Sequence, residues 1–383
     1  MVVRYSIIIP TFNRIQQLLL TLVAFETQTY PKHLMEVIVA DDGSTDGTQQ
    51  MVLEFQASYR LIYVAQPEQR GRSAVRNLGL RHAKGRYVIF CDADFLVLPH
   101  FLSTVDRYHR KYPNAILSGT PHSMDDAYTH YHPDFSPEEQ LQFHSTIGPT
   151  GVWKPEFENA IEVMPLITPD DLIHQTGTLS RVLIPRRIPP AIIDQFARTD
   201  VAPWMLFVTR CVAVRRRYLL RLKGFNERFV LYGLEDWELG YRLHRLKLPF
   251  IPIKEVVGYH QEHPTSFRGN QVNLENLRIM FDCHGFNDSA VNLFVLSPPS
   301  EDLEKYKNTL RILRRGLRMK STRSSALLLR RTLRLAAKQF YRQHNVQVYK
   351  QSIRRSQQLS LNRRSQVATV LREMLEKADK LVD

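Results

Sequence analysis

Hydrophobic residues along the first hundred positions follow two alternating rhythms. Ser6 to Ile9 is a short, mostly apolar run, Leu18, Leu19, Leu22, Val23 and Phe25 recur at helical intervals, and Glu36 to Ala40 returns to the strand-like pattern. The stretch from Asp41 to Thr48, made of glycines and short polar residues, is expected to turn the chain into a helix carrying Met51, Val52 and Phe55. A third strand is predicted at Leu61 to Val64, then a helix through Leu78 and Leu80 with Ser73 as its cap, then a fourth strand over Arg86 to Cys91. Strands separated by helices in this order predict a parallel sheet with helices on its faces, an α/β fold.

Between about residues 120 and 200 the pattern loses its period, and prolines recur from Pro121 to Pro190. This predicts long loops and short helices over the sheet edge, a substrate-facing insertion. Regularity resumes at Trp204 to Val214, expected to form strands crossing under the site. Leu239, Leu243 and Leu246 then keep helical spacing, which puts Glu235 and Asp236 in a helix's first turn, where free amides favour ionised carboxylates. Phe250 to Ile253 and Val256 to His260 read as further strands.

With 383 residues the chain can bury a full core and carry an appendage. Cys91, Cys211 and Cys283 are widely spaced and form no CxxC pair, which argues for a reducing compartment and against a structural zinc site. The first apolar run is too short for the core of a signal peptide, and no stretch approaches the roughly 18 uncharged apolar residues of a membrane-spanning helix. The expected location is cytoplasmic, either free or peripheral on the inner face of the membrane. The formal charge of +14 is unevenly placed: of 52 basic and 38 acidic residues, 21 and 7 lie in residues 301–383, which leaves 31 of each in residues 1–300.

Candidate chemistry gathers at the predicted strand ends. Asp92 and Asp94 directly follow the fourth strand, where open α/β sheets hold their ligands. Two crowded carboxylates repel each other and are costly to desolvate, so the pair suits a divalent cation and, through it, a diphosphate. Asp42 ends the second strand, where a carboxylate can accept from an imide N–H or simply cap the turn. His260 ends the last strand; a lone histidine there is often structural.

Four pieces stand in sequence: Pro10-Thr11-Phe12-Asn13-Arg14, Asp41-Asp42-Gly43-Ser44-Thr45-Asp46, Asp92-Ala93-Asp94, and Glu235-Asp236 within Gly233-Leu234-Glu235-Asp236-Trp237-Glu238-Leu239-Gly240. Their order resembles inverting glycosyltransferases of family 2 over roughly residues 4–265, and the part from Gly233 to Glu262 is similar to chondroitin-polymerase and β-1,4-galactosyltransferase-type domains. The resemblance implies a GT-A fold, with a Rossmann-like, mostly parallel sheet and helices on both faces, for the domain over residues 1–300; residues 301–383 lie outside the resemblance and read as a basic helical extension. It implies metal-dependent transfer of a hexosyl or N-acetylhexosaminyl group from a UDP-sugar to a glycan, glycolipid or polysaccharide hydroxyl.

Carried over by residue, the resemblance places Pro10, Thr11, Asn13 and Arg14 in the donor pocket, Asp42 on the base, and Arg76 and Asn77 beside the diphosphate; Arg76 alternatively pairs with a nearby acid. It assigns Asp94 to a metal and Asp92, across Ala93, to the ribose, the sugar or the same metal. His260 would complete the ligand set, with His263 as the alternative, and an imidazole ligand suits Mn²⁺ better than Mg²⁺. Asp236 is implied as the base, Glu235 as a sugar-holding partner and Glu238 as support, while Trp237, Trp204 and Tyr232 are candidates for contact with the acceptor.

The competing function is a sugar-nucleotide-binding scaffold without catalysis. A nucleotidyltransferase would need a glycine-rich, lysine-containing loop, which Pro10 to Arg14 is not. No acidic residue occurs from Lys305 to Arg372, where leucines and alanines keep helical spacing among arginines, predicting amphipathic helices with cationic faces. Such faces suit an anionic membrane surface, a solvated helical bundle or an acidic polymer; no specific nucleic-acid reader motif accompanies them.

Overall fold

The computed structural model describes residues 3–185, 188–265, 274–342 and 366–380. Its strands are β1 (Tyr5–Thr11), β2 (Met35–Asp41), β3 (Arg60–Ala65), β4 (Tyr87–Cys91), β5 (Phe95–Val97), β6 (Ile116–Ser118), β7 (Asp126–Ala127), β8 (His130–Tyr131), β9 (Met164–Pro165), β10 (Cys211–Arg215), β11 (Phe250–Pro252) and β12 (Gly258–Gln261). Seven form one sheet in the order β11-β6-β10-β4-β1-β2-β3. β3, β2, β1 and β4 run parallel, β10 lies antiparallel between β4 and β6, and β11 runs parallel to β6. This is the mixed, mostly parallel α/β sheet of the GT-A fold, followed by C-terminal helices.

Alternation within β1 shows why the central strands read as continuous apolar runs. Ile7 and Ile9 face a core shared with Leu18, Leu22 and Phe25 of the helix Ile15–Glu26. Ile8 points the other way, where a Cβ on Gly79 of the helix Arg72–His82 would lie 2.5 Å from its side chain. With helices on both faces, neither set of side chains meets water.

Two local expectations are corrected. Gly71, at φ +90°, precedes the helix Arg72–His82, while the Ser73 hydroxyl donates to the Phe229 carbonyl at 3.1 Å and caps nothing. Of Trp204 to Val214, only Cys211 onward is strand; Pro203–Leu206 is a 3₁₀ turn whose apolar side chains are buried all the same, and a short apolar run does not distinguish the two. The proline-rich stretch from 120 to 200 consists of two-residue strands, short helices and loops.

A small second sheet, β5-β12-β7, sets the geometry that matters most. It pairs His260 with Phe95 on one side and with Asp126 on the other.

The chain divides into two compact units, residues 1–193 with 204–271, and residues 194–203 with 272–383. The second is helical. Helices Leu303–Arg318, Arg323–Arg342 and Gln366–Lys380 bury Leu310, Leu313, Leu329, Leu333, Leu371 and Met374. A Cβ on Gly316 would lie 2.8 Å from the Val367 side chain, so the helices approach closely there. Lys307 is fully buried and donates to the carbonyls of Gln195, Phe196 and Arg198, and Arg311 pairs with Asp200 at 2.7 Å. The other arginines of these helices are largely exposed. Residues 343–365 of the expected cationic stretch lie outside the described residues. Among the described residues, no helix is long and apolar enough to cross a membrane.

Candidate active site

The turn after β4 is held by its backbone. The Ala93 carbonyl accepts from the Thr21 hydroxyl at 2.8 Å, the Asp94 carbonyl from the Gln261 amide at 2.7 Å, and the Asp92 carbonyl from the Phe95 amide at 3.1 Å. These bonds fix where the carboxylates of Asp92 and Asp94 can reach. Both line a cavity of about 480 Å³ together with Pro10, Thr11 and Arg14 from the end of β1. Asp42, Arg76, Ala93, Tyr232, His260 and His263 complete the expected residues along its wall. The Thr11 hydroxyl oxygen is buried and has no hydrogen-bond partner among the described residues.

Asp92 and Asp94 separate in role. Among the described residues, Asp94, His260 and His263 form a group whose three ligand atoms lie within 4.8 Å of one another. The Nε2 atoms of His260 and His263 stand 3.7 and 3.4 Å from the Asp94 carboxylate. Each Nδ1 faces an acceptor, Asp126 for His260 and the Pro264 carbonyl for His263, both at 3.1 Å. A proton on each Nδ1 leaves both Nε2 lone pairs aimed at the same point, which is how histidines are oriented on a metal. Burial opposes its charge, yet His260 and His263 hold the Asp94 carboxyl well below its ordinary pKa. Burial likewise opposes protonation of His260, but Asp94 and Asp126 raise its pKa. Asp92 is outside this group: its carboxylate faces Arg76 at 3.8 Å, and burial together with the Asp94 charge raises its pKa. The two histidines three residues apart were the available signal for the second imidazole.

Asp236 and Glu235 begin the helix Glu235–Arg245, directly after Leu234, whose φ of +70° is a strained left-handed conformation for a branched side chain. They lie behind the cavity wall, joined to it by Arg76. Asp236 Oδ2 accepts from both the amide and the hydroxyl of Thr209, each at 2.9 Å, while Oδ1 is 3.4 Å from the Arg76 guanidinium. Burial, partly offset by Arg76 and reinforced by Glu235, pushes the Asp236 carboxyl up to about 7. Thr209 carried no sequence signal, and neither did Arg210, which lines the cavity. Glu238 pairs with Arg242 at 2.7 Å.

Several expected residues serve the scaffold. Asn13 lies off the cavity and ties the ends of β1 and β2 together, its amide donating to the Ser44 hydroxyl and its side-chain oxygen accepting from the Thr45 amide. Asn77 bonds the Phe225 backbone in both directions and reaches Glu227. Asp42 lines the cavity, but three of its lone-pair directions already accept from the Gln66 side chain and the Arg70 and Gly71 amides. Trp204 is 1% exposed, edge-on to Trp237 and Tyr241, so no face is open to a sugar; Trp237 donates its indole N–H to the Met205 carbonyl. Tyr232 is half exposed at the rim, with the Arg72 guanidinium 4.5 Å from its ring centre.

A mostly parallel sheet with acidic side chains at the carboxyl ends of its strands, and two histidines brought beside them by β12 of the small second sheet, has the layout of GT-A glycosyltransferases. It belongs to glycosyltransferase family 2: residues 6–159 match the family described as Glycosyl transferase family 2, and the chain is 30% identical over 280 residues to the uncharacterized glycosyltransferase YfnE of Bacillus subtilis, covering 72% of this chain and 69% of that one. It is 31% identical over 265 residues to the chondroitin synthase of Escherichia coli, covering 68% of this chain and 35% of the synthase. Identity to the validoxylamine A glucosyltransferase of Streptomyces hygroscopicus subsp. jinggangensis is 29%, over 73% of this chain and 60% of that enzyme. This chain therefore spans less than two thirds of each of those two relatives. The fold is shared with the crystal structure of Staphylococcus aureus TarS 1–349 in complex with UDP-GlcNAc, at TM-score 0.52, 17% identity, and coverage of 94% and 93%.

Proposed function

We propose that the chain is a metal-dependent, inverting glycosyltransferase that moves a sugar from a UDP-sugar to a hydroxyl of a glycan, glycolipid or polysaccharide. One observation carries this: the Asp94, His260 and His263 ligand atoms converge within 4.8 Å on the wall of a cavity that is tied, through Arg76, to a carboxyl near pH 7. A UDP donor is supported by the TarS fragment, crystallised with UDP-GlcNAc and with UDP, and by the unpartnered Thr11 hydroxyl, which a bound nucleotide would satisfy.

Asp94, His260 and His263 are the residues that would hold a divalent cation. One carboxylate and two imidazoles favour Mn²⁺ over Mg²⁺. When bound, the ion neutralises charge on the departing diphosphate.

The chain's own part is proton handling and orientation. The acceptor oxygen bonds to the anomeric carbon on the face opposite UDP, the bond from that carbon to the diphosphate oxygen breaks, and its electron pair leaves with UDP. The hydroxyl proton passes to Asp236 Oδ1, the buried oxygen that Thr209 leaves unbonded and that faces Arg76 at 3.4 Å. A single displacement inverts the anomeric centre, and a carboxyl with pKa near 7 suits a general base at neutral pH.

Asp236→Asn is expected to lower transfer by about 10²–10⁴-fold while UDP binds as before; Asp94→Ala is expected to abolish Mn²⁺-dependent UDP binding in titration calorimetry. Undiminished transfer by the Asn variant would remove Asp236 as base and revive the scaffold alternative.

For the second unit we infer attachment to an anionic membrane surface. Arg314, Arg315, Arg318, Lys320, Arg323, Arg330, Arg331 and Arg334 are exposed, and Met319 and Leu327 among them are 55% and 45% exposed. Each base near such a surface contributes about 1 kcal/mol, and the apolar side chains can enter the headgroup layer.

A further inference from the structure

Arg76 is the most deeply placed charge of the site. It is 2% exposed, on the helix Arg72–His82, with its guanidinium carbon 5.5 Å from the centre of the Phe225 ring. Three carboxylates surround it from two directions: Glu235 at 3.2 Å and Asp236 at 3.4 Å from the start of the helix Glu235–Arg245, and Asp92 at 3.8 Å from the end of β4. Burial alone would weaken its hold on a proton, yet these three acids raise its pKa above the ordinary guanidinium value. One guanidinium thus spans the acid next to the donor-side Asp94 and the acid proposed as base.

The arrangement is not a simple ion pair. One buried positive charge faces three acids, Glu235 buried and Asp236 and Asp92 partly so, and without it the cheapest response is for the acids to take up protons. Asp236 is already at about 7, with Arg76 working against burial, Glu235 and Asp92, and the Thr209 amide working on the same side as Arg76. Among the described residues, further titratable or charged groups of this neighbourhood are Tyr232, Asp94, Arg72 and Arg210, the last three acting on Asp92. A planar fork can reach acids on two separate elements together; a lysine ammonium is a single point on a flexible stem.

We propose that Arg76 is a positioning residue that keeps Asp236 ionised at neutral pH and holds its Oδ1 in place, rather than a contact to the diphosphate. The proposal rests on Asp236 as the base, and the experiment separates the two. The pH profile of kcat with Mn²⁺ and a UDP-sugar donor is measured for the full-length wild type, Asp236→Asn, Arg76→Met and Arg76→Lys, with UDP affinity measured in parallel. Arg76→Met is expected to move the midpoint of the acid limb up by at least one pH unit, with a fivefold or greater loss at pH 7 that narrows at pH 9. Arg76→Lys is expected to leave the midpoint within half a unit of wild type but lower kcat at least 10-fold, with UDP affinity within about twofold.

An unmoved limb in Arg76→Met, or a loss confined to UDP affinity, would overturn the proposal while leaving the base in place. Wild-type kcat in Arg76→Lys would overturn it too, and this variant keeps the test decisive if the methionine variant does not fold. Undiminished transfer by Asp236→Asn would overturn the base assignment and Arg76's role together.

Discussion

At the scale of single residues, the account turns on which carboxylate oxygens are already engaged. Asp42 has three acceptor directions filled by the 66–71 loop, and Asp236 has one oxygen filled by Thr209 and one facing Arg76. A base works only as its ionised form, so activity is expected to rise with pH through about 7, the position to which burial pushes Asp236. Below that point each unit of pH is expected to lower kcat about tenfold, because a single proton blocks the acceptor lone pair. A profile flat between pH 5 and 8 would mean that another group takes the proton. Residues such as Thr209 and Arg210 were invisible in the sequence for a physical reason. Their part depends on where a loop meets a helix from a distant segment, and neither spacing nor composition encodes that meeting.

At the scale of elements, the helix and strand patterns of the first hundred residues were legible because burial on both sheet faces leaves long apolar runs. The acids at the ends of β2 and β4 were legible for the same reason, since a strand's end is visible wherever its apolar run stops. The short β12 was harder: it is four residues long, but it fixes His260 and precedes His263. Gln261 between them is fully buried and joins three segments, donating to the Gln17 carbonyl and the Thr21 hydroxyl and accepting from the Thr129 hydroxyl. Gln261→Met keeps the volume and removes those bonds. It is expected to weaken Mn²⁺ binding by about 10–100-fold in calorimetry, as losses behind metal ligands commonly do, although Gln261 itself touches no ligand atom. Unchanged affinity would show that strand pairing alone orients the histidines. Asn77, Trp204 and Ser73 teach the converse. An asparagine, a tryptophan or a serine in a suggestive place is often consumed by packing and loop bonds, and only coordinates reveal that.

At the scale of the whole molecule, charge and chemistry are divided. Residues 1–300 carry equal numbers of bases and acids, and the entire excess lies in residues 301–383. Sedimentation with vesicles containing anionic phospholipid is expected to pellet the full chain at low salt and release it as salt is raised, because surface attraction is screened within about 10 Å at 0.1 M. Equal binding to neutral vesicles, or none to anionic ones, would leave the arginines as the solvated face of a helical bundle. The central claim is that the cavity at the ends of β1 and β4 loads a metal and a UDP-sugar for transfer. Release of UDP by the purified full chain, across a panel of UDP-sugars with an acceptor mixture, tests it most directly. The account predicts release from at least one donor, stopped by a chelator and restored by Mn²⁺; no release from any donor, or release indifferent to the chelator, would contradict it.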